Sequence, residues 1–263
     1  MRTGNREQPI VIDRRFTGLP ETAHGGYVAG LIATALGAPS AEVRLRRPAA
    51  TGRPLILERS TELVELRDGD AVLAEGSAAE LSLGVPLPVP LAEAEAASRR
   101  YPGADLHLFP DCFGCGPARR TGDGLRIFPG PVAGRRLVAA PWVPRAEDGN
   151  GGSRVGDELV WAALDCPQLW ALIVHASAAE SALVLPGTLE TALEHPVLVG
   201  EPHIVIGWPI GRDGLRWLAG AAVIGPGGEL CAVGLQTAVG AATGVPLGWA
   251  RWRTAHEAHE TRR

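Results

Sequence analysis

Two stretches of helical periodicity divide the chain. In the first, Val28, Leu31, Ile32, Ala35 and Leu36 recur at i, i+3, i+4, i+7 and i+8, and Gly37 follows as a C-cap. The second begins near Val155. It carries Leu159, Ala162 and Ala163 on one face, with Val160, Trp161 and Leu164 on the others. That pattern predicts a helix buried nearly all round. Behind each helix the period shortens to strand-like runs, Leu55-Ile56-Leu57 in the first case and Ile204-Val205-Ile206 in the second. Each run is preceded by the same punctuation, P-x-x-x-G-x-P, at Pro48–Pro54 and Pro196–Pro202. Each then reaches an Asp-Gly turn, Asp68-Gly69 or Asp213-Gly214, and re-enters a second apolar run. The order helix, punctuation, strand, turn, strand occurs twice, which predicts an internal duplication.

Between the halves, Pro86, Pro88 and Pro90 alternate in a stiff extended stretch, followed by an Ala/Glu segment from Leu91 to Arg100 and a turn-rich stretch to Gly124. The expected organisation is a first unit over 1–83, a linker over 84–122, a second unit over 123–245 and a polar tail over 246–263. With 34 glycines and 22 prolines spread along 263 residues, many short strands are expected. A chain this long buries enough surface to need neither disulfides nor metal for stability.

The formal net charge is −4 and the 25 cations are all arginine. Without a basic surplus no nucleic-acid partner is expected. The segment from Leu159 to Pro186 is the most apolar, but Asp165, Pro167, His175 and Glu180 interrupt it, so no membrane span is expected. No signal peptide is evident, and a soluble cytoplasmic protein is the expectation. Nucleotide and serine-hydrolase signatures are absent: no phosphate loop can form without lysine, and G-x-S-x-G does not occur.

His24-Gly25-Gly26-Tyr27-Val28, leading into the first helix, resembles the opening of the central helix in hotdog thioesterases. The first half, with Pro48, Gly52, Pro54 and Leu66-Arg67-Asp68-Gly69, resembles the N-terminal hotdog of the acyl-CoA thioesterase II type. Cys112-Phe113-Gly114-Cys115-Gly116-Pro117 followed by Gly124-Leu125-Arg126-Ile127 is similar to a stretch of small hotdog thioesterases of the phenylacetate-pathway type. The resemblance implies an α+β double hotdog, two long apolar helices each wrapped by an antiparallel sheet. It implies hydrolysis of an acyl-CoA or related acyl thioester, without cofactor, by a water positioned by Asp, Thr or Ser, and Gln. Asp165, Thr188 and Gln236 stand in that order here, as catalytic residues, and His24, Gly25 and Gly26 as substrate-binding ones.

Thioester hydrolysis needs an acceptor for the proton of water and donors for the developing oxyanion, and these residue types supply both. On the last strand Ala232 and Gly234 share a face with Gln236, leaving room there for substrate. A plainer reading stands beside each assignment: Asp165 before Cys166-Pro167 ends the helix, Thr188 opens a strand, and Gln236 satisfies a sheet edge. The first helix has no acid at Ala29, Leu31, Ala33, Thr34 or Ala35, and only Gly149-Asn150-Gly151-Gly152 stands where a second His-Gly-Gly would. A non-catalytic hotdog binding an acyl or other hydrophobic ligand is the alternative. A hotdog dehydratase is disfavoured because no His/Asp dyad is apparent. Cys112-x-x-Cys115 has His107 nearby as a third donor but no visible fourth, so a tight turn without metal is expected. Arg44, Arg46 and Arg47 are the cations placed to meet a CoA phosphate. The double hotdog is either self-sufficient or forms a homodimer.

Overall fold

The computed structural model describes residues 6–105, 107–149, 151–175 and 184–240. The expected polar tail, 246–263, lies outside them, as does Asn150. In chain order the elements are β1 (Arg6–Val11), α1 (Gly25–Leu36), β2 (Ser40–Leu45), β3 (Pro54–Arg59), β4 (Val64–Asp68), β5 (Ala71–Ala78), α2 (Leu91–Ser98), β6 (Gly130–Pro131), β7 (Val138–Trp142), α3 (Asp157–His175), β8 (Val184–Leu193), β9 (His203–Asp213), β10 (Arg216–Ile224) and β11 (Leu230–Gly240). Every strand pairing is antiparallel, in one eleven-stranded sheet of order β1-β3-β4-β5-β2-β8-β11-β10-β9-β7-β6.

Read outward from the β2–β8 pairing, the two sides repeat one order. β2-β5-β4-β3-β1 on one side matches β8-β11-β10-β9-β7 on the other. In both sides the helix immediately precedes the innermost strand. The shared punctuation has a conformational basis, because Gly52 and Gly200 both sit at positive φ, 72° and 81°, where a side chain is strained. Gly69 and Gly214, in the β4–β5 and β9–β10 turns, share a φ of 57°. Both sides thus repeat helix, strand, punctuation and meander, but the Asp-Gly turns expected to be equivalent are not, since β4–β5 answers to β10–β11 and not to β9–β10.

Three expectations are corrected. Three α-helices are present among the described residues, and only α3, at 19 residues, is long; α1 has 12 and α2 has 8. The sheet is continuous, since β2 and β8 join the two sides through Ser40–Arg44 and Thr188–Ala192. Asp165-Cys166-Pro167 does not end α3 either, because the helix runs through Pro167 to His175. Gly207 on β9 makes room for that proline, as a Cβ there would press on the Pro167 carbonyl.

The two central helices touch along a glycine seam. A Cβ at Gly26 would lie 2.7 Å from Cβ of Asp165 and 2.8 Å from the Trp161 carbonyl. At Gly30 it would lie 2.5 Å from Cα of Glu158. Small residues one turn apart thus bring the α1 backbone onto α3. The apolar faces of both helices join one core with the inner face of the sheet, including Ile32, Val43, Leu66, Trp161, Leu164, Leu189 and Val205.

Candidate active site

Asp165 stands in the middle of α3 and is 2% exposed. Its Oδ2 accepts the Gly26 N–H at 2.8 Å, in the first turn of α1, and its Oδ1 accepts Nε2 of Gln236 on β11 at 2.6 Å. A carboxylate from one half thus caps the helix of the other, where the dipole and the free N–H groups favour an anion. The other first-turn groups are partly used. Tyr27 N–H donates to Nδ1 of His24 at 3.4 Å and Val28 N–H to the His24 carbonyl, while Gly25 N–H has no acceptor among the described residues. Gln236 is fully buried, and its Oε1 is without a hydrogen-bond partner.

The structure brings together Asp165, Gln236, His24, Gly25 and Gly26, and it leaves Thr188 out. Thr188 pairs with Thr237, whereas Gln236 pairs with Leu189. Side chains alternate along a strand, so Thr188 faces away from Gln236, on the same outer face as its other partner, exposed Arg44. The hydroxyl on the inner face is that of Thr191, opposite Gly234 and 2% exposed. Nor does Gly234 leave space for substrate: a Cβ there would meet Thr191 Oγ1 at 3.2 Å and Gln168 Nε2 at 3.3 Å.

An apolar cavity of about 100 Å³ opens beside the carboxylate, lined by Leu19, Phe109, Leu169, Ile173 and Pro186 and floored by Gly25, Asp165 and His24. At Gly25 a Cβ would lie 3.3 Å from Asp165 Oδ2 and 3.0 Å from both Leu45 and Pro186, so glycine keeps this wall open. The equivalent place in the other half differs. Asp165 lies eight positions after Asp157 at the start of α3, and the residue eight positions after Gly25 is Ala33. Ala33 borders a separate cavity of about 380 Å³ with Thr34, Arg154 and Asp157, and no acid from α1 reaches into it.

The smaller cavity, beside Asp165, is also lined by a group the sequence did not assemble. Cys112 Sγ lies 3.7 Å from Cys166 Sγ and 3.8 Å from Cys115 Sγ, and His24 Nε2 lies 3.3 Å from Cys166 Sγ. The segment expected to be a linker is thus partly core: Phe113 is 0% exposed and the turn is closed by Gly116 N–H donating to the Cys112 carbonyl at 2.8 Å. Hydrogen bonds from Cys115 and Cys166 hold the Cys112 thiol well below the ordinary range, opposed by burial and helped by His24. Cys115 is pushed well above that range, chiefly by burial, and Cys166 chiefly by its bonds to Cys112 and Cys115. Burial works against charge on His24, yet Cys112 and Asp165 together raise it above the ordinary value. His24 Nδ1 stands 3.6 Å from Asp165 Oδ2, so a His/Asp pair absent from the linear pattern is present in space. Arg44 and Arg46 pair with Glu42 and Glu75 on the surface.

No protein-family description matches the chain, and no curated protein is similar to it. Solved structures are. A tesB protein of Mycobacterium avium subsp. paratuberculosis superposes with a TM-score of 0.58 at 14% identity, covering 92% of this chain and 96% of that one. A structure described as a thioesterase II from Thermobifida fusca gives 0.58 at 16% identity, with 92% and 94% covered. The dehydratase domain of PpsC from Mycobacterium tuberculosis, solved with C12:1-CoA, gives 0.59 at 16% identity over 91% and 95%. A protein from Alicyclobacillus acidocaldarius described with a hot dog fold superposes with a TM-score of 0.55 at 12% identity, covering 93% of this chain and 96% of that one. The chain has the hotdog fold. No helix among the described residues is long and apolar enough to cross a membrane.

Proposed function

We propose that this double hotdog, with units over 1–83 and 123–245, hydrolyses an acyl thioester, an acyl-CoA by preference, with Asp165 accepting the proton of the attacking water. The observation that carries this reading is a buried carboxylate at the floor of an apolar cavity, fixed from both sides by Gly26 N–H and Gln236. Gln236 holds Asp165 Oδ1 from behind, and Gly25 N–H at the α1 N-terminus, on the cavity wall, is the donor left for the oxyanion. The thioesterase names among similar structures support the reaction class.

The test is thiol release from short, aromatic and long acyl-CoAs by wild type and Asp165→Asn. Asparagine keeps an acceptor for Gly26 N–H, and Gln236 can turn its amide to match, so the variant retains the fold while losing the base. Loss of a positioned base removes about 10²–10⁴ in kcat. Turnover unchanged in Asp165→Asn discards this site, and no turnover by wild type on any ester favours acyl binding without catalysis. The His24–Asp165 approach favours a second reading, dehydration of a 3-hydroxyacyl thioester, in which an imidazole and a carboxyl handle the two protons. Formation of the enoyl product from 3-hydroxyacyl-CoA, followed by its ultraviolet absorbance, distinguishes it.

A further inference from the structure

We infer that Cys112, Cys115, Cys166 and His24 form a binding site for a thiophilic divalent cation, zinc by chemistry, separate from the hydrolytic role proposed for Asp165. Ligand atoms of His24, Cys112 and Cys166 all lie within 4.8 Å of one another, and all three residues are buried. Cys115 Sγ stands outside that group of three, 3.8 Å from Cys112 Sγ, and would have to close on the ion from there to be the fourth donor. With zinc–sulfur bonds of about 2.3 Å, a tetrahedral site separates its sulfurs by roughly 3.8 Å, the spacing found on both Cys112 edges. Three thiols and one imidazole are a closed structural donor set, and soft thiolates select zinc over magnesium or calcium.

The surroundings fit thiolate ligands better than thiols packed as apolar filler. Two N–H groups aim at Cys115 Sγ, Trp170 Nε1 at 3.4 Å and His107 Nε2 at 3.3 Å. His107 Nδ1 accepts the Phe109 N–H at 2.9 Å, which leaves the proton of the neutral ring on Nε2, so His107 is a donor to sulfur and not a ligand. Donors to a ligating sulfur stabilise its charge and orient it. On His24 the arrangement reverses. Nδ1 accepts the Tyr27 N–H at a long 3.4 Å while no metal is bound; with Nε2 on the metal that contact is given up and the proton moves to Nδ1, which faces Asp165 Oδ2 at 3.6 Å, giving a carboxylate–histidine–metal chain. Gly114 makes the enclosure feasible: a Cβ there would lie 2.6 Å from Cys166 Sγ and 3.0 Å from His24 Nε2. The ion would tie the 112–116 turn to α3 and to the start of α1, fixing the wall of the cavity.

The experiment measures metal in the full-length protein, purified without chelators from medium containing zinc, and then titrates the apoprotein with cobalt(II). About one zinc per chain is expected, with cobalt giving thiolate charge-transfer bands and the intense visible bands of tetrahedral coordination. Cys112→Ser and Cys166→Ser lose the metal and those bands, while Cys231→Ser, outside the cluster, keeps both. Asp165→Asn weakens zinc affinity by about 10–100-fold, as loss of a partner to a ligating histidine does. A wild type that is metal-free as purified and takes up cobalt without thiolate bands overturns the inference, even where the serine variants do not fold. So does a disulfide between any two of the three cysteines in that preparation, or equal metal loss in Cys231→Ser. Metal content and spectra do not depend on turnover, so this result and the hydrolysis assay fail separately.

Discussion

At the scale of single residues, phase along a strand decides which polar groups meet. Gln236 reaches Asp165 because it shares the inner face of β11 with Ala232 and Gly234, and Thr188 misses it by one position. Thr188→Val is therefore expected to leave thiol release near the wild-type rate, whereas Gln236→Leu strips Asp165 Oδ1 of its donor and lowers kcat; steady-state kinetics on one acyl-CoA compares the two. Cys231 offers a second residue-scale prediction. Burial, and after it Glu229, pushes its thiol up to about 11. A raised thiol pKa keeps the group protonated, and thus unreactive, until pH approaches that value. Alkylation of native protein at pH 8 is expected to spare Cys231 and to reach it after unfolding, as peptide mass mapping reads. Asp165 and the final-strand glutamine were legible because their residue types and order are local facts. Which way Thr188 faces was not legible, because a strand's register against its neighbour is not a local fact.

At the scale of elements, the crossing of α1 on α3 is what builds the site, and it depends on glycine. Gly30→Ala would place a Cβ 2.5 Å from Glu158 Cα and 2.8 Å from its carbonyl, and backbone cannot yield as a flexible side chain does. Overpacking of that kind costs about 1–3 kcal/mol. Gly200→Ala is the control, since no atom lies within 4 Å of its Cβ and the cost is only that of a left-handed residue, about 1–2 kcal/mol. Both lower the melting temperature, but only Gly30→Ala is expected to move α1 from Asp165 and reduce kcat along with it. Differential scanning calorimetry beside the hydrolysis assay separates the two effects. The His-Gly-Gly opening was visible in the sequence, and its structural meaning is more specific than a loosened loop. Gly25 keeps the cavity wall open, while Gly26 presses on α3 and gives its N–H to Asp165.

At the scale of the whole molecule, one sheet runs through both halves. β2 is covered on its inner side by β8, and α1 buries its glycine face on α3. Neither half contains a complete site, since Gly26 and His24 come from one and Asp165, Cys166 and Gln236 from the other. A fragment ending at residue 90, expressed alone, is expected to expose the β2 edge and the α1 face and to self-associate or remain unfolded. Size-exclusion chromatography with circular dichroism reads this, and a stable folded monomer of that fragment would contradict it. Residues 107–128 belong with the core and not with a passive connection, because Cys112, Phe113, Cys115 and Ile127 are all buried.

By itself the sequence determined an apolar helix and a strand meander in each half, because helical period, strand period and the glycines and prolines between them are set by neighbours a few positions apart. It also singled out Asp165, Gln236 and the His24 loop. Only the tertiary structure decided that α1 is capped by an acid 139 positions away, that Thr188 faces outward, and that a linker turn and α3 bring three thiols against one imidazole. Those outcomes rest on the register of β8 against β11, the distance of closest approach between two helices, and the path of a loop across them. Each is fixed by packing summed over the whole core and leaves no short-range mark in the chain.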